Sequence, residues 1–380
     1  MEIGSSLDSS RTQRTLTGSA RLLFALHLDG PLFIALTMLA GIGIVVGFSA
    51  SGRSFGMLEA QLARFALALL AMVMLAQIPP RLIRGVTPWA YLLGLILLLV
   101  VMVTGHIAMG AQRWLDLGFV RFQPSELMKI AVPLACAWYL NERPLPPSFA
   151  SVVIVAVAIL VPTILIAEQP DLGTSLLVAA GGAMVILLAG LSGKLITGVV
   201  TLLIPTVYVA WEYLLHDYQR QRVLTFLDPQ TDPLGSGYHI IQSQIAIGSG
   251  GLFGKGYLNG SQAQLEFLPE SSTDFIFAVI GEEWGLIGLG TIIALYLFVI
   301  GRSLYLAAES QDTFSRLAAG SLALTFAVYV FVNAGMVTGL LPVVGVPLPL
   351  ISYGGTSMVT LMAGFGILMS LCAKRKLVGR

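Results

Sequence analysis

Apolar residues run in long blocks along this chain, broken by short polar turns. Ten blocks read as membrane-crossing helices: residues 31–50, 62–78, 88–105, 124–140, 149–167, 172–190, 194–215, 274–300, 317–340 and 350–371. A helix needs about 20 mostly apolar residues to cross the hydrocarbon core, whereas a transmembrane barrel shows alternating segments of about ten. The pattern predicts an all-α polytopic membrane protein of ten transmembrane helices, with residues 1–380 forming a single integral membrane domain.

One connection is out of proportion. Residues 216–273, between the seventh and eighth spans, hold aromatics, branched apolar residues and Gly/Pro turns. Long connections in compact proteins are functional or disordered, and this composition predicts one that folds. HIIQSQIAI (239–247) is expected as a short helix lying on the membrane. At the other end of the chain, ARLLFALHLDG (20–30) reads either as an interfacial helix with Leu22, Leu23 and Leu26 in the lipid boundary or as an ordered lead-in to the first span. The polar opening and the length of the first apolar run do not fit a cleavable signal.

Composition agrees with the pattern. The chain is 56% hydrophobic and 11% charged, against about 25% charged in soluble domains. A net charge of +1 makes no electrostatic case for nucleic acid. Cys136 and Cys372 both fall in predicted spans, which argues against a disulfide framework or a metal site. Lys and Arg are unevenly placed. With the N-terminus in the cytoplasm, the inside holds Arg11, Arg14, Arg21, Arg81, Arg84, Arg143, Lys194, Arg302, Arg316 and the basic tail, while the short outside loops hold Arg53, Arg64, Arg113 and Arg121. That bias puts both termini in the cytoplasm and the 216–273 loop outside.

Candidate chemistry gathers on the outside face. FLPESSTDFIFAVIGEEWG (267–285) places Asp274, Glu282 and Glu283 at the head of an apolar segment. Ser271, Ser272, Thr273 and Asp274 are all good N-cap types, and one cap needs only one of them. Asp274 is therefore either a cap or a carboxylate free for other work. Glu282 and Glu283 lie about 12–14 Å deeper at 1.5 Å per residue, so one is expected to line a cavity and the other to find a partner on a neighbouring helix. Glu126 and Lys129 share a helix face, as a structural ion pair or as a polar cavity wall. Asp171, in QPDLGTS (169–175), is an N-cap candidate. Arg113 and Arg121 stand against the charge bias and suit an anionic group such as phosphate.

Two glycine-rich stretches carry less than they suggest. In GSGGLFGKG (248–256) a Walker loop needs glycine where Ser249 stands and Ser or Thr where Gly256 stands, so a flexible loop or hinge is expected, with Lys255 still able to touch a phosphate. GIGIVVG (41–47) sits in a span, where small residues let helices pack closely. NAGMVTGLLPVVGVPLPLISYGGTS (333–357) cannot be continuous helix because of Pro342, Pro347 and Pro349. It is apolar, so it is expected buried or interfacial.

Long stretches of this chain resemble the SEDS family (shape, elongation, division and sporulation): AQRWLDLGFVRFQPSELMKIAVP, EQPDLGTS, HDYQRQRV, DPLGSGYHIIQSQIAIGSGG, GKGYLNGSQAQLEFLPESSTDFIFAVIGEEWG and NAGMVTGLLPVVGVPLPLISYGGTS. Together they cover about residues 31–370. AQIPPRL and QLEFLPE favour the elongation branch over the division branch. The resemblance implies a peptidoglycan glycosyltransferase that polymerises lipid II outside the cytoplasmic (inner) membrane during lateral elongation and rod-shape maintenance. The family's catalytic aspartate matches Asp274, and its buried acid–base pair matches Glu126 and Lys129. The implied partners are a class B penicillin-binding protein (a transpeptidase) and other elongation-complex membrane proteins. Inverting transfer to a β-1,4 linkage needs a base on the acceptor hydroxyl and cations for the departing pyrophosphate. Asp274 is the expected base. Arg113, Arg121, Arg220, Arg222 and Lys255 are the candidate cations, with His239 a weaker one. A divalent cation could share their role, though no ligand cluster announces it.

Two other functions fit parts of the pattern. A lipid II flippase or transporter would place polar residues near the midplane on broken helices, and Glu282 or Glu283 is the feature that speaks for it. A non-catalytic scaffold for a penicillin-binding protein would use the long outside loop.

Overall fold

The computed structural model describes residues 26–108, 111–116, 121–191, 193, 197–198, 201, 205, 208–214, 217–228, 236–265, 267–268 and 270–373. Twelve α-helices carry the fold among them: α1 (Gly30–Ala50), α2 (Phe55–Ala76), α3 (Pro80–Thr104), α4 (Pro124–Asn141), α5 (Phe149–Glu168), α6 (Leu172–Ala189), α7 (Asp217–Leu227), α8 (Ser236–Gly250), α9 (Ser261–Gln264), α10 (Ile276–Ala308), α11 (Thr313–Thr338) and α12 (Gly355–Cys372). Eight of the described helices are long and apolar enough to cross a membrane: α1, α2, α3, α5, α6, α10, α11 and α12. The predicted span 124–140 is α4, outside those eight, with Glu126 and Lys129 buried in its first turns. Half of the predicted span 194–215 lies outside the described residues, as do Leu22 and Leu23 of the proposed interfacial segment. The chain is a predominantly helical membrane protein, and the described residues give eight spans by length and hydropathy rather than ten.

Polar side chains start the helices. Asp29 accepts from Leu32 N at 3.1 Å, and Asp312 accepts from Ser315 N at 3.0 Å, each satisfying an amide that has no partner within its helix. Asp29 also holds Arg302 of α10 at 2.7 Å, which ties the start of α1 to the far end of α10. Apolar faces then pack inward in two clusters. Leu32, Leu36 and Leu39 of α1 meet Met72 of α2, Ile280 and Ile292 of α10, and Met362 of α12. Leu98, Met128, Val132, Val155 and Val178 form the second, across α3 to α6. The outward faces are apolar too: Ile34, Met38, Leu67, Leu70, Leu93 and Leu160 are exposed. That suits helices whose solvent is lipid and whose backbone polar groups are satisfied internally. Small residues allow the closest approaches. A Cβ on Gly43, in GIGIVVG, would lie 2.7 Å from Ile351 Cα. Cys136 and Cys372 are free thiols in α4 and α12.

A three-stranded antiparallel sheet, β1 (His106–Ala108), β2 (Ala111–Asp116) and β3 (Arg121–Phe122), covers the gap between α3 and α4. The 216–273 connection is largely ordered, with α7, α8 and α9 inside it. The stretch 239–247 is helical as expected, within α8.

α10 is broken at Gly285, where φ is 65° and ψ −162°. The break frees the carbonyls of Glu282 and Glu283 and the amides of Leu286 and Ile287. All four are taken by GSGGLFGKG: Lys255 N donates to Glu282 O at 2.9 Å and Gly256 N to Glu283 O at 3.0 Å. Leu286 N and Ile287 N donate to Gly251 O and Leu252 O at 2.9 and 3.2 Å. The stretch expected as a flexible loop is thus a strap docked backbone-to-backbone into a helix break. Only glycine permits this approach, because a Cβ on Gly254 would lie 2.1 Å from Glu283 O.

Candidate active site

The turn ahead of α10 is held from two sides. Asn333 of α11, fully buried, donates from Nδ2 to Asp274 O at 2.9 Å and to Val346 O at 2.8 Å. Ser352 Oγ donates to Thr273 O, and Tyr353 N to Ser272 O at 2.8 Å. The proline-rich segment 339–354 therefore lies along this turn, buried at Val346, Leu348, Leu350 and Ile351 as its apolar composition requires. Gly345 in that segment takes a φ of 71°, and a Cβ there would come within 3.5 Å of Asp274 Oδ2.

None of Ser271, Ser272, Thr273 and Asp274 caps α10. Its N-cap is Phe275, with no side-chain cap bond. The capping alternative for Asp274 falls, because the first turn of α10 is buried against its neighbours and the turn is fixed through its main chain. The Asp274 carboxylate stays available. Burial, reinforced by the charge of Glu270, pushes its pKa up to about 6, while Arg222 pulls it down. His239 of α8 stacks on Phe275 with ring centroids 5.6 Å apart, beside the same turn.

A second polar group lies along α11. Lys129 Nζ bonds Glu126 Oε1 at 2.6 Å, both side chains buried, and sits 5.3 Å from the centre of the Tyr329 ring, one helical turn from Asn333. Glu126 Oε2 and Asn333 Oδ1 have no hydrogen-bond partner among the described residues. An apolar groove between α4, α11 and α12 continues from there, lined by Thr325, Phe326, Phe365 and Leu368, with Lys129 its one charged wall among the described residues.

A third group joins the start of α6 to β2. Asp171 caps α6, accepting from Thr174 N at 3.2 Å and from Gln123 Nε2 at 3.0 Å. Arg113 donates to the carbonyls of Gln169 and Pro170 and stands 3.9 Å from Asp171. This group touches the proline-rich segment from the other side: a Cβ on Gly173 would lie 2.6 Å from Val344 O.

The remaining candidates go elsewhere. Glu282, with no exposed surface, accepts from Lys255 Nζ at 2.7 Å, Ser261 Oγ at 3.0 Å and Gln262 N at 3.1 Å. Lys255, a candidate phosphate cation, is thereby committed to Glu282 at the helix break. Glu283 accepts from Ser49 of α1, so one acid finds a partner on a neighbouring helix as expected, but neither lines the groove. Arg220 donates to Glu212 O at 2.8 Å. The side chain of Arg121 lies outside the described residues. Among the described residues, no three His, Cys, Asp or Glu side chains converge as a metal site. Asn333 and Ser352 fix the Asp274 turn, a role that residue type alone does not assign to either of them. Their signal was polarity inside an apolar, proline-broken stretch.

Comparison with known proteins places this geometry. A model described as cell cycle protein, covering FtsW, RodA and SpoVE, matches residues 27–377. The chain is 55% identical over 354 residues to the peptidoglycan glycosyltransferase MrdB of Escherichia coli, covering 93% of this chain and 96% of that one. It is 39% identical over 288 residues to a probable peptidoglycan glycosyltransferase FtsW of Geobacter metallireducens, covering 74% and 76%. Among solved structures, a chain from a peptidoglycan synthase complex superposes with a TM-score of 0.81 at 34% identity, over 92% of this chain and 98% of that one. The rod shape determining protein RodA of Thermus thermophilus superposes with a TM-score of 0.69 at 29% identity, over 92% and 97%.

Proposed function

Because the chain belongs to the cell cycle protein family of FtsW, RodA and SpoVE, it is a peptidoglycan glycosyltransferase, and we propose that Asp274 is the general base of its transfer reaction. The observation that carries this is the setting of Asp274: its turn is fixed through the main chain, its part-buried carboxylate caps no helix and has no hydrogen-bond partner among the described residues, and burial pushes its pKa up to about 6. A base with a pKa near the working pH combines ionisation with a strong pull on the proton.

The proposed substrate is lipid II and the product a β-1,4-linked glycan. Asp274 takes the proton of the acceptor 4-hydroxyl as that oxygen attacks the donor anomeric carbon. The bond from that carbon to the pyrophosphate oxygen breaks, and the bonding pair leaves on the pyrophosphate, inverting the configuration. Arg222, whose charge already reaches Asp274, is the proposed cation for that developing charge, with Arg121 as a second. The polyprenyl chain follows the apolar groove of α4, α11 and α12, with Glu126 and Lys129 at its polar end. Of the two acids that spoke for a transport pathway, Glu282 has its acceptors filled at the helix break, which favours chemistry over transport, while Glu283 bonds Ser49 and keeps Oε2 without a partner among the described residues.

The proposed setting is the cytoplasmic membrane, with both termini inside and the Asp274 end outside. The excess of Lys and Arg in the loops assigned to the cytoplasm supports it. A class B penicillin-binding protein is the proposed partner, supported by likeness to a chain of a peptidoglycan synthase complex. Other elongation-complex membrane proteins join it in the proposed role in rod-shape maintenance. The test is glycan formation from purified lipid II with that partner present, comparing the native chain with Asp274→Asn. Loss of about 10²–10⁴-fold is expected on removing a general base. Equal polymer from a folded, partner-bound variant would strip Asp274 of the role and bring Glu126 forward.

A further inference from the structure

α12 begins beside the Asp274 turn without a side-chain cap. Its N-cap is Gly354, and Gly355, Thr356 and Ser357 open its first turn. A helix start like this presents free amides and the positive end of the helix dipole. Arg64 of α2 lies against it. Its guanidinium is 4.3 Å from the centre of the Tyr353 ring, and a Cβ on Gly355 would come within 3.2 Å of Arg64 Nε. Arg64 Nη1 is buried and has no hydrogen-bond partner among the described residues.

Gln61, one helical turn earlier, is the independent sign. It is 4% exposed, and both its Oε1 and its Nε2 lack a partner among the described residues. Gln61, Ala68, Met72 and Ala76 are the buried stripe of α2. That stripe faces α12, since a Cβ on Gly366 would lie 2.4 Å from Met72 O. Gln61 and Arg64 therefore point at the α12 side, toward its first turn. An unpaired amide and a partly unpaired guanidinium buried together are costly unless something accepts from them. The rest of α2 faces lipid, with Leu62, Leu67, Leu70 and Met74 exposed.

We propose that Arg64, Gln61 and the first turn of α12 form a subsite for a phosphate carried on a lipid, and that its occupant is the pyrophosphate of the polyprenyl-linked substrate. The naming of the occupant rests on the transferase reading; the phosphate subsite does not. Phosphate oxygens accept from Arg64 Nη1, Gln61 Nε2 and the α12 amides, leaving Gln61 Oε1 for a hydroxyl or N–H of the same ligand. The bond from Tyr353 N to Ser272 O, 2.8 Å long, couples this subsite to the turn that carries Asp274.

The experiment is direct binding to the full-length purified protein of undecaprenyl pyrophosphate, undecaprenol and phosphatidylglycerol. The native chain should prefer undecaprenyl pyrophosphate to undecaprenol. Arg64→Gln should cut that preference about tenfold, the worth of one charge-assisted hydrogen bond. Gln61→Leu should weaken it less, and Arg64→Lys should restore part of it. Failure of the general-base reading is seen separately, as undiminished polymer formation by Asp274→Asn. If Arg64→Gln weakens phosphatidylglycerol and not undecaprenyl pyrophosphate, the assignment to substrate is overturned. If it weakens neither, with Gln61→Leu equally silent and both variants folded, there is no phosphate subsite.

Discussion

Asp274 and Glu282 stand eight residues apart near the head of one element, the first part-buried and the second fully buried, and their surroundings differ in kind. Glu282 is surrounded by donors: Lys255, Ser261 and the Gln262 amide fill its oxygens. Among the described residues Asp274 is hydrogen-bonded through its carbonyl, by Asn333, and its side chain caps nothing. One carboxylate is fully committed to holding a strap in a broken helix. The other is positioned by its backbone and kept chemically free. Burial alone would not say which of them is free to react. The bonding of the side-chain oxygens does.

The sharpest way to break this contrast is to remove each charge in turn. Asp274→Asn should leave thermal unfolding of the protein nearly unmoved while polymer formation falls about 10²–10⁴-fold. A large fall in stability would show that the carboxylate is structural after all. The glycine contact behind Glu282 should behave in the opposite way. Gly250→Ala would drive a Cβ to 1.9 Å from Gly281 O. Such overpacking against backbone should cost about 3 kcal/mol or more, read as lost folded protein. Glu282→Gln is milder. Lys255 loses its partner but is itself partly exposed, so about 2 kcal/mol is expected in unfolding, with specific activity of the remaining folded protein within a few-fold of native. Polymer formation lost at full stability would move Glu282 into the reaction.

The smallest effects sharpen the picture at Asp274. With its pKa held up at about 6 by burial, the base is protonated below that value, so the rate should fall about tenfold per pH unit on the acid side. Arg222→Gln removes the charge that lowers this pKa and should move the midpoint up. Glu270→Gln removes a charge that raises it and should move the midpoint down. A midpoint indifferent to both would place the titrating group elsewhere.

Much of this was legible before any coordinates. Hydropathy marked the long helices because lipid tolerates only internally bonded backbone. Three prolines marked 339–354 as non-helical, and its apolar side chains marked it as buried. The 216–273 connection read as folded because it carries enough apolar residues to pack. Residue types also drew attention to Asp274, Glu126 and Lys129. They did not separate cap from catalyst, since the same four hydroxyl and carboxyl types at 271–274 serve either purpose. They also left Lys255 and Arg113 among free cations, when one holds Glu282 and the other holds the carbonyls of Gln169 and Pro170.

The sequence by itself determined that this chain is a helical membrane protein, which residues can ionise, and where helices cannot continue. These are local properties, set by side-chain transfer energies and backbone geometry. Only the tertiary structure decided what each ionisable group is bonded to. Gly250–Gly256 reaches the break at Gly285 across more than a helix of intervening chain, and Asn333 reaches Asp274 from another helix. A carboxylate's chemistry depends on which donors its oxygens meet, and those donors are brought together by packing between segments distant in the chain.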